Sequence, residues 1–159
     1  MNLKAIIAFC DYLIEKVVIF LMAFLVIDVT WQVITRYVFS SPSSFTEEIA
    51  RYLLIWIGLL GAAIAYRRNM HLSFDLLLQK VEPTTVPKIQ VIIHGVIFVF
   101  ALLVLIIGGS NLVALTWELN QVSASLGIKL AYVYMVIPAS GVLMCLYAID
   151  FILRYKEEV

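Results

Sequence analysis

Apolar residues gather along the chain in four long runs, separated by short stretches rich in polar residues or proline. The runs cover about 12–38, 45–66, 89–115 and 129–153. Each reaches the roughly 20 residues that an α-helix needs to cross the hydrocarbon core of a bilayer, and none alternates apolar with polar as barrel strands do. The third run is the cleanest, with His94 as its one ionisable side chain. At about 1.5 Å per residue it exceeds the ~30 Å of the core, which predicts strong tilt or a helix that continues into the headgroups. The second run carries charge only in its first turns, at Glu47, Glu48 and Arg51, and Asp28 interrupts the first.

A fifth segment, 72–81, mixes Leu72, Phe74, Leu76, Leu77 and Leu78 with Ser73, Asp75, Gln79 and Lys80. It is too short and too polar to span, and it predicts a short amphipathic helix lying on the membrane interface. Pro83 and Pro87 bracket the turn into the third run. Pro138 predicts a bend in the fourth, and Gly108-Gly109 a kink or close packing in the third. The pattern therefore gives an all-α integral membrane protein, with four tilted transmembrane helices plus a short amphipathic interfacial helix. It forms a single membrane domain over 1–159.

Composition strengthens that reading. Apolar residues make up 64% and charged residues 14% of the chain, against about 45–50% and roughly 25% in soluble domains. Net charge is zero, so no nucleic-acid partner is expected. The positive charges fix an orientation. Lys4, Lys16, Arg67, Arg68, Lys80, Lys88, Arg154 and Lys156 fall on one side of four spans, and only Arg36, Arg51 and Lys129 on the other. The basic side is expected in the cytoplasm, with both termini. Trp31 and Trp117 then lie toward the outer face. Cys10 and Cys145 lie toward the cytoplasmic side, where no disulfide is expected. The first run opens among Asp11, Glu15 and Lys16 and is too long for the h-region of a cleavable signal, so it is expected to remain.

The stretch Ser44-Phe-Thr-Glu-Glu-Ile-Ala-Arg51 carries the most information. Ser44 with Glu47 fits a capping box at a helix start. Glu47 and Glu48 lie four and three residues before Arg51, so either can pair with it on one helix face. The same group could also form an outer-face docking site for another protein. Further along, Trp56, Gly58, Gly61, Ala62 and Ala65 form a packing signal, because small residues three and four apart let a helix approach closely. In the first run Asp28, Gln32, Thr35 and Arg36 share a face. The expectation there is an intramembrane polar network, with Arg36 or Arg51 as partner to Asp28. Spans 3 and 4 bring few polar groups to the depth where transporters gather them. His71 and His94 have no Cys or carboxylate at ligand spacing, so no metal, haem or other cofactor is expected in this chain. No nucleophile–base pair or nucleotide signature is present, and no enzymatic activity is expected.

The run Arg36-Tyr37, then Glu47-Glu48-x-x-Arg51-Tyr52-Leu53-Leu54-x-Trp56-x-Gly58-x-x-Gly61-Ala62-x-x-Ala65-x-Arg67, then His71, resembles the small membrane subunit of tripartite ATP-independent periplasmic (TRAP) transporters. Within that family it resembles the sialic-acid transporting branch. The resemblance implies a large membrane subunit that carries the substrate and sodium sites and moves as an elevator. It also implies a soluble periplasmic binding protein that delivers an organic acid. The small subunit would brace the large one in the bacterial inner membrane and offer part of the docking surface. Arg36, Ser44, Glu47, Glu48 and Arg51 would form the outer polar group, while Arg67, Arg68 and His71 would form a cytoplasmic turn. Two other readings remain open: a self-sufficient dimeric transporter with Asp28 as coupling carboxylate, and a membrane redox subunit using both histidines.

Overall fold

The structure is a computed structural model that describes residues 3–39, 43–68 and 85–156. His71 and the expected interfacial helix 72–81 lie outside the described residues. Four helical stretches are long and apolar enough to cross a membrane: Ile7–Tyr37, Ser44–Arg67, Lys88–Glu118 and Leu130–Arg154. Their mean hydropathies run from 1.8 to 3.0. Among the described residues there is no strand, only one isolated antiparallel bridge between Val122 and Lys129.

Helix α1 (Leu3–Tyr37) packs chiefly on α2 (Ser44–Arg67). Its buried positions recur every seventh residue: Ile7, Ile14, Asp28 and Thr35, with Leu21 half-buried between them. That seven-residue seam is the narrow contact line of a helix that touches one neighbour, as in coiled coils. Away from that seam most of the described apolar residues of α1 are exposed, including Phe20 at 69% and Ile27 at 66%. A lipid solvent explains so much outward apolar surface.

The third span is built from α3 (Val86–Phe100), a π-helical stretch (Ala101–Gly108) and α4 (Gly109–Glu118). The fourth is built from α5 (Leu130–Tyr134) and α6 (Val136–Lys156). Helix α6 is the central element, packing on α2 and on the whole of the third span. The expected bend at Pro138 is a break at Met135 between α5 and α6. Proline has no N–H for the carbonyl four residues back, and its ring crowds that carbonyl.

The expected close packing at Gly108-Gly109 is also there. A Cβ on Gly109 would lie 2.7 Å from Ile137 Cγ2 and 3.1 Å from Pro138. One turn deeper, a Cβ on Gly141 would lie 2.7 Å from Leu105 Cβ and 3.1 Å from the Ile106 nitrogen. The third and fourth spans thus cross at backbone distance. The π-helical stretch Ala101–Gly108 supplies Leu105 and Ile106 to that crossing.

Candidate functional site

Charged and polar side chains collect at the two ends of the bundle, and the ends are built differently. At the basic end, Arg67 closes α2 and reaches two other helices. Its Nε donates to Asp11 of α1 at 3.2 Å and its Nη1 to Asp150 of α6 at 2.9 Å. Arg154 also reaches Asp150, at 2.7 Å, and Arg68 pairs with Glu15. The Arg67 guanidinium lies 5.6 Å from the ring centres of Tyr147 and Phe151. Beneath it, the Tyr66 hydroxyl is hydrogen-bonded to His94 Nδ1 at 2.8 Å, and the His94 ring stacks on Phe151. Ile7, Ala63, Tyr66, Tyr147, Ala148 and Phe151 form the buried cluster around this arrangement. One arginine therefore ties α1, α2 and α6 over an aromatic floor. His94 is a core histidine with a tyrosine partner.

At the opposite end, Ser43 caps α2, not Ser44. Ser43 has extended backbone angles, and its hydroxyl accepts from the Thr46 amide at 3.5 Å, while the Thr46 hydroxyl donates to the Ser43 carbonyl at 3.0 Å. The capping box expected of Ser44 with Glu47 is corrected accordingly. Adjacent serines offer the same hydroxyl, and the backbone decides which one is outside the helix. Ser44 is the exposed first residue of α2.

Glu47 takes Arg51, at 3.3 Å, and both side chains are 65% exposed. Glu48 does something else. Its Oε1 accepts the Tyr52 hydroxyl at 2.6 Å, and its Oε2 accepts the backbone amides of Ser125 at 2.8 Å and Leu126 at 3.2 Å. Those amides belong to the loop between the third and fourth spans, so Glu48 faces its own chain. Arg36 is exposed near the end of α1.

The network expected around Asp28 does not form. Asp28 is 7% exposed, and its Oδ2 is buried with no hydrogen-bond partner among the described residues. Arg51 is committed to Glu47, and Arg36 lies two turns nearer the surface. Gln32 is half-buried, and its carbonyl accepts the Thr35 hydroxyl at 3.0 Å.

The small residues of α2 divide between two faces. Trp56 turns inward, where its indole N–H donates to the Val133 carbonyl at 3.0 Å beside the Ile14, Leu60 and Val136 cluster. Gly58 and Ala62 are exposed, in one row with Glu47, Arg51 and Leu54, while Gly61 and Ala65 are half-buried at its edge. A Cβ on Gly58 or Gly61 would meet nothing within 4 Å. From Leu54 to Ala62 this row is apolar, and no side chain among the described residues fills the space over Gly58.

The profile of the tripartite ATP-independent periplasmic transporters, DctQ component, matches residues 24–156. The chain belongs to this family. It is a small permease subunit of a TRAP transporter, a multi-pass protein of the inner membrane. Over 81 residues it is 38% identical to a TRAP transporter small permease protein of Haemophilus influenzae, covering 51% of this chain and 50% of that one. Over 80 residues it is 35% identical to the sialic acid TRAP transporter small permease protein SiaQ of Vibrio cholerae, covering 50% and 46%. Over 73 residues it is 33% identical to the sialic acid TRAP transporter permease protein SiaT of Haemophilus influenzae, covering 43% of this chain and 12% of that one. The matched segments with the first two span about half the length of those relatives.

Sequence reasoning missed several residues that hold this small permease together. Asp11, Glu15 and Asp150 are the carboxylates of the basic end, and Gly141 joins the expected Gly109 in making the crossing of the third and fourth spans. A signal existed for Asp150: it lies four residues before Arg154 and just inside an apolar run, where a lone carboxylate needs a partner.

Proposed function

We propose that this small permease is the fixed frame of a TRAP complex for sodium-coupled uptake of an organic acid. In this reading the basic end and both termini face the cytoplasm. The outer row of α2 seats a helix of the large membrane subunit. The opposite end, with Arg36, Glu47, Arg51 and the 119–129 loop, receives a soluble periplasmic binding protein. Substrate and sodium are held on the large subunit. Sialic acid is the proposed substrate, on the strength of the relatives named for it.

One observation carries the reading. The chain does its own close helix packing at Gly109 and Gly141, yet leaves Leu54, Gly58 and Ala62 open on α2. Small residues let helices approach closely, and without a hydrophobic drive between helices in lipid such contact is what holds them. The match to a segment that is only 12% of SiaT adds support, because it places a related stretch within a much longer permease chain. Against transport by this chain alone, the described residues bring Asp28 to the interior without a second polar side chain bonded to it.

The test is a pair of substitutions, Gly58→Leu and Ala62→Leu. Both residues face open space, so the chain should extract and melt like the wild type. Co-purification with the large membrane subunit should be lost. Wild-type recovery of the complex with both variants would overturn the reading, as would solute uptake by liposomes holding this chain alone.

A further inference from the structure

The three arginines of the basic end are not spent alike. Arg67 is 19% exposed, holds two carboxylates and lies against two aromatic rings. Arg68 and Arg154 are 53% and 49% exposed, and among the described residues each makes a single ion pair through Nη2, to Glu15 and to Asp150. A guanidinium offers several N–H donors in a fixed fork, so both keep most of theirs. Glu15 has capacity left as an acceptor. Its Oε1 takes Arg68, and its Oε2 has no partner among the described residues.

These groups border one cavity of about 390 Å³ between α1, α2 and α6. Asp11 and Glu15 line it from α1, Arg67 and Arg68 from α2, and Arg154 from α6, with Ile64 and Phe151 as apolar wall. The volume falls within the ~300–1,000 Å³ of small-molecule sites and exceeds what one bridging water fills. The two signs of charge stand on different sides, acids on α1 and cations on α2 and α6. An occupant that satisfies both sides carries an anion and a cation a few bonds apart.

The surroundings say what else it carries. The α1 face that bears Asp11 and Glu15 continues four, seven and eleven residues past Glu15 to Ile19, Met22 and Val26. All three are exposed, and all lie in the membrane-spanning stretch Ile7–Tyr37. An apolar strip therefore runs from the cavity into the depth of the bilayer. The second span ends at Arg67 and the fourth at Arg154, which sets the cavity at headgroup level. A soluble zwitterion has no use for the strip, whereas a phospholipid lays its acyl chains along it.

We propose that this cavity binds one phospholipid with a phosphate–ammonium headgroup, of the phosphatidylethanolamine type. Its phosphate accepts the spare N–H groups of Arg68 and Arg154, a geometry that guanidinium suits. Its primary ammonium donates to Glu15 on the opposite side. A choline headgroup has no N–H for that carboxylate, and a glycerol headgroup has no cation. The bound lipid adds a second bridge between α1 and α6 beside the one through Arg67. This site stands apart from the seating of a large subunit on α2 and does not depend on it.

The test uses the full chain, purified in detergent and stripped of lipid. It is then given dioleoyl phosphatidylethanolamine, phosphatidylcholine or phosphatidylglycerol in mixed micelles. Native mass spectrometry reads stoichiometry and affinity, and melting reads the stabilisation that binding brings. One phosphatidylethanolamine should bind per chain, about tenfold more tightly than either other lipid, the scale of one charge-assisted hydrogen bond. Arg68→Gln combined with Arg154→Gln should weaken it by about tenfold or more, while Arg67 stays to hold Asp150. Glu15→Gln should erase the preference over phosphatidylglycerol. Lys16→Gln removes an exposed cation next to Glu15 but outside the cavity, and should shift affinity by less than about twofold. The three-headgroup comparison on the wild type needs no variant, so it decides even if the double variant fails to fold. Equal binding of all three lipids, untouched by the arginine changes, means unspecific surrounding lipid and overturns the proposal. Phosphatidylglycerol binding as tightly as phosphatidylethanolamine removes the ammonium half and overturns it as well. Inorganic phosphate that stabilises the chain as much as the lipid does would make this a soluble-anion site, and the lipid assignment would fall.

Discussion

Arg67 and Arg51 sit at opposite ends of the same helix, and each is paired with carboxylates, yet they do different work. Arg67 is 19% exposed and bridges Asp11 and Asp150, with Asp150 only 5% exposed. Its partners are 56 and 83 residues away, on two other helices. Arg51 is 65% exposed and pairs with Glu47, four residues back on its own helix. The pairing chemistry is the same, but burial and chain separation differ. A pair between distant, half-sequestered groups fixes tertiary structure, and breaking it strands a charge in a poor solvent. A pair on one exposed helix face is bathed in water and salt, and it fixes little beyond a local rotamer.

The largest expected effect follows at the basic end. Among the described residues, Arg67→Ala removes the one cation that Asp11 pairs with and leaves Asp150 to Arg154. Removing one partner of a sequestered pair costs about 3 kcal/mol. The variant should therefore unfold at markedly lower temperature in detergent, with α1 detaching first because Asp11 loses its cation and Glu15–Arg68 is left to tie α1 to α2. Proteolysis near the N-terminal half of α1, compared between variant and wild type, reads that detachment. A melting curve that matches the wild type would mean that the buried and exposed pairs are equivalent, and the contrast between the ends would collapse.

Part of this was legible in the amino-acid pattern. Four apolar runs forecast four spans because lipid leaves a helix no other way to satisfy its backbone. Pro138 and Gly109 announced a break and a close approach because each acts through its own backbone. The Glu47–Arg51 pair was legible because its spacing is local. Arg67 stood out as basic, but nothing local says that Asp11 and Asp150 come to it, since those meetings depend on how three helices are arranged. Glu48 shows the same limit. Its helical spacing to Arg51 looks as good as that of Glu47, and only the fold brings the Ser125 and Leu126 amides within reach. The α2 small-residue stripe was visible as a packing signal, but which side faced outward was not, and Trp56 turned in while Gly58 turned out.

A middle-sized effect tests whether burial, rather than charge, sets the ranking. Trp56 lies between the two ends and makes a neutral, long-range hydrogen bond to the Val133 carbonyl, beside the break between α5 and α6. Trp56→Phe keeps most of the apolar contact with Ile14, Leu60 and Val136 but deletes the N–H donor. One such bond contributes about 1 kcal/mol. The variant should melt between Arg67→Ala and wild type. If it falls below Arg67→Ala, the α2–α5 contact rather than the ionic hub is the main clamp of the bundle.

The smallest effect belongs to the exposed pair, and its smallness is informative. Arg51→Ala should change stability by no more than about 0.5 kcal/mol, the usual worth of an exposed pair four residues apart on a helix. Removing Arg51 strands no partner, because Glu47 faces water and Glu48 already has three donors. Raising salt should erase even that difference, since the Debye length is about 8 Å at physiological ionic strength and shorter above it. Melting the variant and the wild type at low and high salt makes the comparison. A loss as large as that of Arg67→Ala, persisting at high salt, would mean that Arg51 is sequestered in the bilayer. The Arg51 end of the bundle would then have to be drawn deeper in the membrane than its exposure implies.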